Sequence, residues 1–114
     1  MVKIYHNPRC RKSREGLALV RESGKPHEVV LYLDNPLSRE ELRNLLKMLD
    51  ISPMALVRKQ EAIWKEEYKG KELDDRMIED ALLKHPKLME RPVVTFEGKA
   101  VIGRPPKKIG ELLN

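Results

Sequence analysis

Apolar residues along this 114-residue chain recur with two different spacings, and the switch between them predicts the elements. Val2-Lys3-Ile4-Tyr5 is short and alternating, which predicts a buried strand over residues 2–6. From Cys10 to about Ser23 the spacing becomes helical, with Leu17 and Val20 on one face and Ser23-Gly24 as a stop. Glu28-Val29-Val30-Leu31-Tyr32-Leu33 predicts a second strand, closed by Asp34-Asn35-Pro36. Ser38 followed by Glu41 forms a capping box, and Leu42, Leu45, Leu46 and Leu49 keep helical spacing behind it. Ser52-Pro53 reads as another cap with proline at N1 and predicts a short helix running through Leu56 and Val57. Asp74-Asp75 opens another, with Ile78, Ala81 and Leu82 inward and His85-Pro86 at its end. Strand signals return in Pro92-Val93-Val94-Thr95-Phe96, a Glu97-Gly98 turn and Lys99-Ala100-Val101-Ile102, which together predict a hairpin. After Pro105-Pro106 a last helix carries Ile109, Leu112 and Leu113.

The order is therefore βαβ, a helical stretch over about 38–90 without strand signal, then ββα. The βαβ unit implies parallel strands with a right-handed crossover, while the hairpin is antiparallel, so the sheet is mixed. This is the order of an α/β protein with a thioredoxin-like fold and an all-helical insertion, in one domain spanning residues 1–114. In such folds a proline before the third strand faces the turn after the first. Pro92 occupies that place, and a cis Arg91–Pro92 bond is expected, although about one X-Pro bond in twenty is cis.

The turn after the first strand holds the only cysteine, within His6-Asn7-Pro8-Arg9-Cys10-Arg11-Lys12-Ser13-Arg14. A thiol where a strand passes into a helix feels the positive end of the helix dipole, and four cations lie within four residues of it. Both favour the thiolate. A small buried core cysteine is the ordinary alternative, but burial among Arg9, Arg11, Lys12 and Arg14 would strand charge. The net charge of +5 resides here: residues 1–25 hold seven basic and two acidic side chains, and residues 26–114 hold 16 of each sign. So local an excess points to an anionic ligand at one site. A nucleic-acid surface is broader and offers stacking aromatics, which are scarce here. No apolar stretch approaches membrane-spanning length, and the N-terminus lacks the apolar segment of a signal peptide. One cysteine allows no internal disulfide and suggests a reducing, cytoplasmic setting. The three histidines show no metal-ligand spacing.

Arg58, Arg91 and Arg104 fall at element boundaries, where sites collect in α/β folds, and guanidinium groups bind tetrahedral oxyanions through paired hydrogen bonds. With the cationic thiol turn they suggest a cage for a phosphate-like anion over Cys10. At this point the chain resembles the glutaredoxin-linked arsenate reductases, the ArsC family. The resemblance rests on Tyr5-His6-Asn7-Pro8-Arg9-Cys10 with Ser13-Arg14, on Ala55-Leu56-Val57-Arg58-Lys59, on His85-Pro86 with Glu90-Arg91-Pro92-Val93-Val94, and on Ile102-Gly103-Arg104-Pro105. It implies that Cys10 is the nucleophile, that Arg58, Arg91 and Arg104 hold arsenate or a similar oxyanion, and that the backbone N–H groups of Arg11, Lys12 and Ser13 assist. It also implies that no cofactor is bound, that glutathione is the co-substrate, and that glutaredoxin follows as partner in arsenic detoxification. A monomer is expected.

Other positions carry paired readings. His6 either tunes the ionisation of Cys10 or satisfies a backbone carbonyl at the strand end. Ser13 completes Cys-x-x-Ser, and its hydroxyl either reaches the sulfur or serves the backbone of the first turn. Dithiol exchange is excluded without a second cysteine, and a Cys-x5-Arg phosphate loop is excluded because residue 16 is Gly. Arg11-Lys12 are bulkier than the small residues often found after the family's cysteine. Tyr32, Trp64 and Tyr68 are expected to pack or form an interface, Glu66-Glu67 to be solvated and Asp74-Asp75 to start a helix. Two rivals keep the same fold: a non-enzymatic redox regulator similar to Spx, which binds the RNA polymerase α subunit, and a thiol reductase of some other substrate. Spx-like proteins generally carry Cys-x-x-Cys, which Cys10-Arg11-Lys12-Ser13 does not.

Overall fold

In the computed structural model, residues 1–114 are all described, and the chain divides into two compact units, Met1–Asn35 with Arg91–Asn114, and Pro36–Glu90. The first is a sheet unit. Strands β1 (Val2–Tyr5), β2 (His27–Val30), β3 (Val93–Phe96) and β4 (Lys99–Ile102) lie in the order β2-β1-β3-β4. β1 pairs parallel with β2, while β1–β3 and β3–β4 are antiparallel, giving the mixed sheet expected from the sequence. Alternation along the strands sends Val2, Ile4 and Val94 to one face. There they meet Leu17 and Val20 of α1 (Arg11–Glu22) and Ile109 and Leu113 of a C-terminal helix in one buried cluster. The β3–β4 turn places Glu97 and Gly98 at φ +50° and +78°, the left-handed pair that a two-residue hairpin matching strand twist requires.

The second unit is helical: α2 (Arg39–Leu49), a 3-10 turn Pro53–Leu56, α3 (Ala62–Glu67), α4 (Asp75–Lys84) and a 3-10 turn Pro86–Leu88. Ser38 and Glu41 close the expected capping box on α2, and Asp74 accepts the Met77 N–H at the start of α4. Leu42, Leu45, Leu46, Ile78, Ala81 and Leu82 are buried as their spacing demands. Trp64 stacks on Tyr68 with ring centroids 5.3 Å apart, and Tyr32 in the sheet unit is fully buried, so all three aromatics pack. The final helix of the chain, in the sheet unit, is α5 (Lys107–Leu113).

Several element ends depart from expectation, most by one residue. β2 stops at Val30, and the backbone turns so that the Asp34 and Asn35 N–H groups both donate to the Leu31 carbonyl; Leu31–Leu33 are not strand. β-propensity does not decide the end of an edge strand, because pairing does, and β1 stops at Tyr5, opposite Val30. Helix α1 begins at Arg11, leaving Cys10 as its extended N-cap. Ser52 stands before its 3-10 turn but makes no side-chain capping bond.

Candidate functional site

The turn bearing Cys10 is built by Asn7 and Pro8. The Asn7 carbonyl accepts the Cys10 N–H at 3.0 Å, and the Asn7 side-chain oxygen accepts the Arg9 N–H at 3.0 Å. An Asx-turn thus lies inside a β-turn whose second position is proline, with φ already set. A third bond, from the Asn7 N–H to Ser13 Oγ at 2.9 Å, ties the turn to the first helical turn. Asn7 is buried and was given no role of its own from the sequence; the Asn-Pro dipeptide was the signal that could have exposed it.

Cys10 is half-buried with a free thiol. It is the extended N-cap of α1, beside the open N–H groups of the first turn, and makes no side-chain capping hydrogen bond. Partial burial pushes the thiol pKa up. That effect is outweighed by the Ser13 backbone N–H, the hydrogen bond and positive charge of the Arg91 guanidinium, and the Lys12 backbone N–H, so the net shift is downward. Arg104 adds an Nη2–H donor 3.5 Å from Sγ, while its Nε–H donates to the Arg91 carbonyl at 2.8 Å. The two arginines flank the β3–β4 hairpin, and Arg104 is oriented by the backbone of Arg91.

The cationic neighbours in sequence act differently from expectation. Arg11 and Lys12 both turn their side chains to Glu15, at 3.4 and 3.7 Å, with the Arg11 side chain 84% exposed. Lys12 contributes through its backbone N–H, and Arg11 is not among the groups that shift the thiol. Arg14 donates to the Pro8 carbonyl at 2.9 Å and braces the turn.

Ser13 resolves one of the paired readings. Its buried hydroxyl lies 2.7 Å from His6 Nδ1 and accepts the Asn7 N–H, so it serves His6 and the turn; its backbone N–H is the part that favours the Cys10 thiolate. His6 is buried, and desolvation, reinforced by the charges of Arg21 and Arg14, lowers its pKa against the opposing hydrogen bond to Ser13. The contact has the Ser13 O–H donating to Nδ1 when the neutral ring carries its proton on Nε2.

The Arg91–Pro92 bond is cis, as the sequence led us to expect, and so is Arg104–Pro105. Pro92 forms a tight floor. A Cβ added at Gly16 would lie 2.6 Å from Pro92 Cγ, and one at Gly103 would lie 2.6 Å from Ile109 Cδ1 and 3.0 Å from Pro92 Cγ. Gly16 lets α1 approach the proline closely, which a larger residue at this position would prevent.

Arg58 belongs to the helical unit. Its N–H donates to the Leu88 carbonyl at 2.7 Å beside the isolated Val57–Met89 bridge, and its guanidinium lies 3.5 Å from Glu61 and 4.0 Å from Glu90. No three His, Cys, Asp or Glu side chains gather as a metal site, and no helix is long and apolar enough to cross a membrane.

Residues 5–112 match the model of the ArsC family. The chain is 48% identical to the uncharacterized protein YfgD of Escherichia coli, covering 98% of this chain and 96% of that protein. It is 40% identical to an arsenate reductase of Neisseria meningitidis, with 98% and 97% covered. Among solved structures, an arsenate reductase from Vibrio cholerae superposes with a TM-score of 0.93 at 42% identity, covering 97% of this chain and 96% of that one.

Proposed function

The chain belongs to the ArsC family, and on that premise we propose that it reduces arsenate to arsenite through a covalent adduct on Cys10. The Cys10 thiolate attacks arsenic(V); an As–O bond breaks, the oxygen leaves as water after taking up protons, and Cys10–S–AsO(OH)2 remains. Arg91 and Arg104 hold the oxyanion, and the helix N-terminus that favours the thiolate also favours the charge gathered at arsenic. Arg58 is assigned as a third oxyanion ligand on the strength of the Val57-Arg58 motif. His6, Ser13 and Pro92 position the turn, with Lys12 contributing its N–H; Arg11 has only a peripheral place.

Arsenic must then gain two electrons, and Cys10 is the chain's only thiol. Glutathione supplies the next thiol: it condenses on arsenic with loss of water, and arsenic stays pentavalent. The thiol of glutaredoxin then attacks the arsenic-bound glutathione sulfur. A disulfide forms, the S–As electron pair stays on arsenic, and Cys10–S–As(OH)2 hydrolyses to arsenite and free Cys10. Overall, one arsenate and two thiols give one arsenite, one disulfide and one water. A cytoplasmic location, where such thiols are kept reduced, fits a chain with a single cysteine.

The observation that carries this reading is the donor shell of Cys10: a thiol lowered in pKa, with one arginine hydrogen-bonded to it and a second guanidinium nitrogen 3.5 Å away. Arsenite formation with glutathione and glutaredoxin supplied is the test. Cys10→Ser abolishes turnover, and Arg91→Ala raises the KM for arsenate about tenfold or more through loss of a charged donor. Retained turnover in Cys10→Ser rejects the mechanism.

A further inference from the structure

The external thiol that meets the Cys10 adduct needs a place to bind, and the arginines on the sulfur are committed to anion and thiolate. The Cys10 turn has a second open flank. Asn7, Pro8 and Arg9 line a cavity of about 280 Å³ whose other wall is Leu31, Leu33 and Asp34. That volume lies just below the range of about 300–1,000 Å³ usual for small-molecule sites, which suits a compact ligand.

The early end of β2 creates this wall. Had residues 31–34 continued as strand, Leu33 and Asp34 would face opposite sides. The turn closed on the Leu31 carbonyl gathers them, with Tyr32 buried between and Leu31 and Leu33 each left 37% exposed. Arg9 and Asp34 are both exposed, and no ion pair engages either. The cavity therefore offers a cation, an anion, the His6 ring and an apolar surface, and its Arg9 directly precedes a nucleophile whose chemistry demands a thiol from outside.

We propose that this cavity binds the amino-acid end of a small zwitterionic peptide thiol. Asp34 pairs with the ligand's ammonium group, Arg9 pairs with its carboxylate, and the aliphatic stem lies on Leu31 and Leu33. The thiol at the far end condenses with the Cys10–S–As(V) adduct and releases water, without change of oxidation state. The inference rests on the arsenate reading for the electrophile, but the binding site itself does not.

S-Methylglutathione, which has no free thiol, separates the two. Added to the intact protein and followed by amide NMR, it shifts the signals of Asn7, Arg9 and residues 31–34. Arg9→Ala and Asp34→Asn each weaken its binding about tenfold, as expected for one lost charged contact. Absence of those shifts, or unaltered affinity in both variants, overturns the cavity assignment whatever the arsenate assay shows. In turnover, each variant raises the KM for glutathione about tenfold; a rise in the KM for arsenate instead would place Arg9 with the oxyanion and overturn the proposal. Binding of the methylated thiol by a protein inactive toward arsenate would sink the arsenate reading alone.

Discussion

The sheet unit and the helical unit use arginine in opposite ways. The sheet unit holds 12 basic and six acidic residues, and the helical unit 11 and 12. In the helical unit the guanidinium groups meet carboxylates: Arg39 and Arg43 converge on buried Glu79, Arg39 also binds Asp80, and Arg58 faces Glu61 and Glu90. There the charges of Arg39 and Arg43 are neutralised and the two tie α2 to α4, while the contacts of Arg58 are longer, at 3.5 and 4.0 Å. In the sheet unit Arg91 and Arg104 have turned to a thiol, and Arg104 also donates to the Arg91 carbonyl. A guanidinium that meets a sulfur instead of a carboxylate keeps unspent binding capacity for an anion. Charge excess in one unit is the condition for that, since a nearby glutamate would have claimed it.

The largest break in this comparison is to remove a cation from the sulfur. Arg91→Ala should raise the Cys10 pKa toward the ordinary thiol range and slow alkylation by iodoacetamide near neutral pH about tenfold, because only the thiolate reacts. Wild-type alkylation should climb with pH through a value below that range, and the same limb in Arg91→Ala should lie higher; coincident profiles would show that Arg91 does not act on the sulfur.

Glu79→Ala probes the other unit. Hydrogen bonding to Arg43 chiefly holds its carboxyl below the usual range; burial opposes this, and Arg39 adds to it. Its ionised form therefore contributes stability that is fully present above the unfolded carboxylate pKa and is lost as pH falls through the lower folded one. The variant should lose about 1–3 kcal/mol in urea unfolding near neutral pH, with a smaller deficit in acid, and leave the Cys10 alkylation profile where it was. A moved thiol profile would deny that the two sets of arginines act separately.

Gly16→Ala should cost about 1–3 kcal/mol, since the new methyl meets the Pro92 ring, whose position is fixed by its own backbone. Calorimetry decides this: an unchanged melting temperature would mean the helix moves off the proline freely. The smallest change is a gain. Glu97→Asn should stabilise by about 0.5 kcal/mol by relieving a left-handed glutamate in the hairpin turn, read as a raised urea midpoint.

Local signals carried much of this molecule. Ser38 and Glu41, Asp74, and Glu97-Gly98 each satisfy hydrogen bonds or torsions within four residues, so their elements are written in the chain. The nucleophile was legible for the same reason: a strand, a turn and a helix start are consecutive. What the sequence could not convey is which donors reach the sulfur. Arg11 and Lys12 are adjacent to Cys10 in the chain, yet their side chains turn to Glu15, whereas Arg91 and Arg104 come from more than 80 residues away. The end of β2 is of the same kind, because Leu31 and Leu33 have strand propensity and only the length of the paired neighbour stops them. Short-range hydrogen bonding is fixed by composition and spacing; the direction of a long, charged side chain is settled by competition among partners that exist only once the sheet has brought distant segments together.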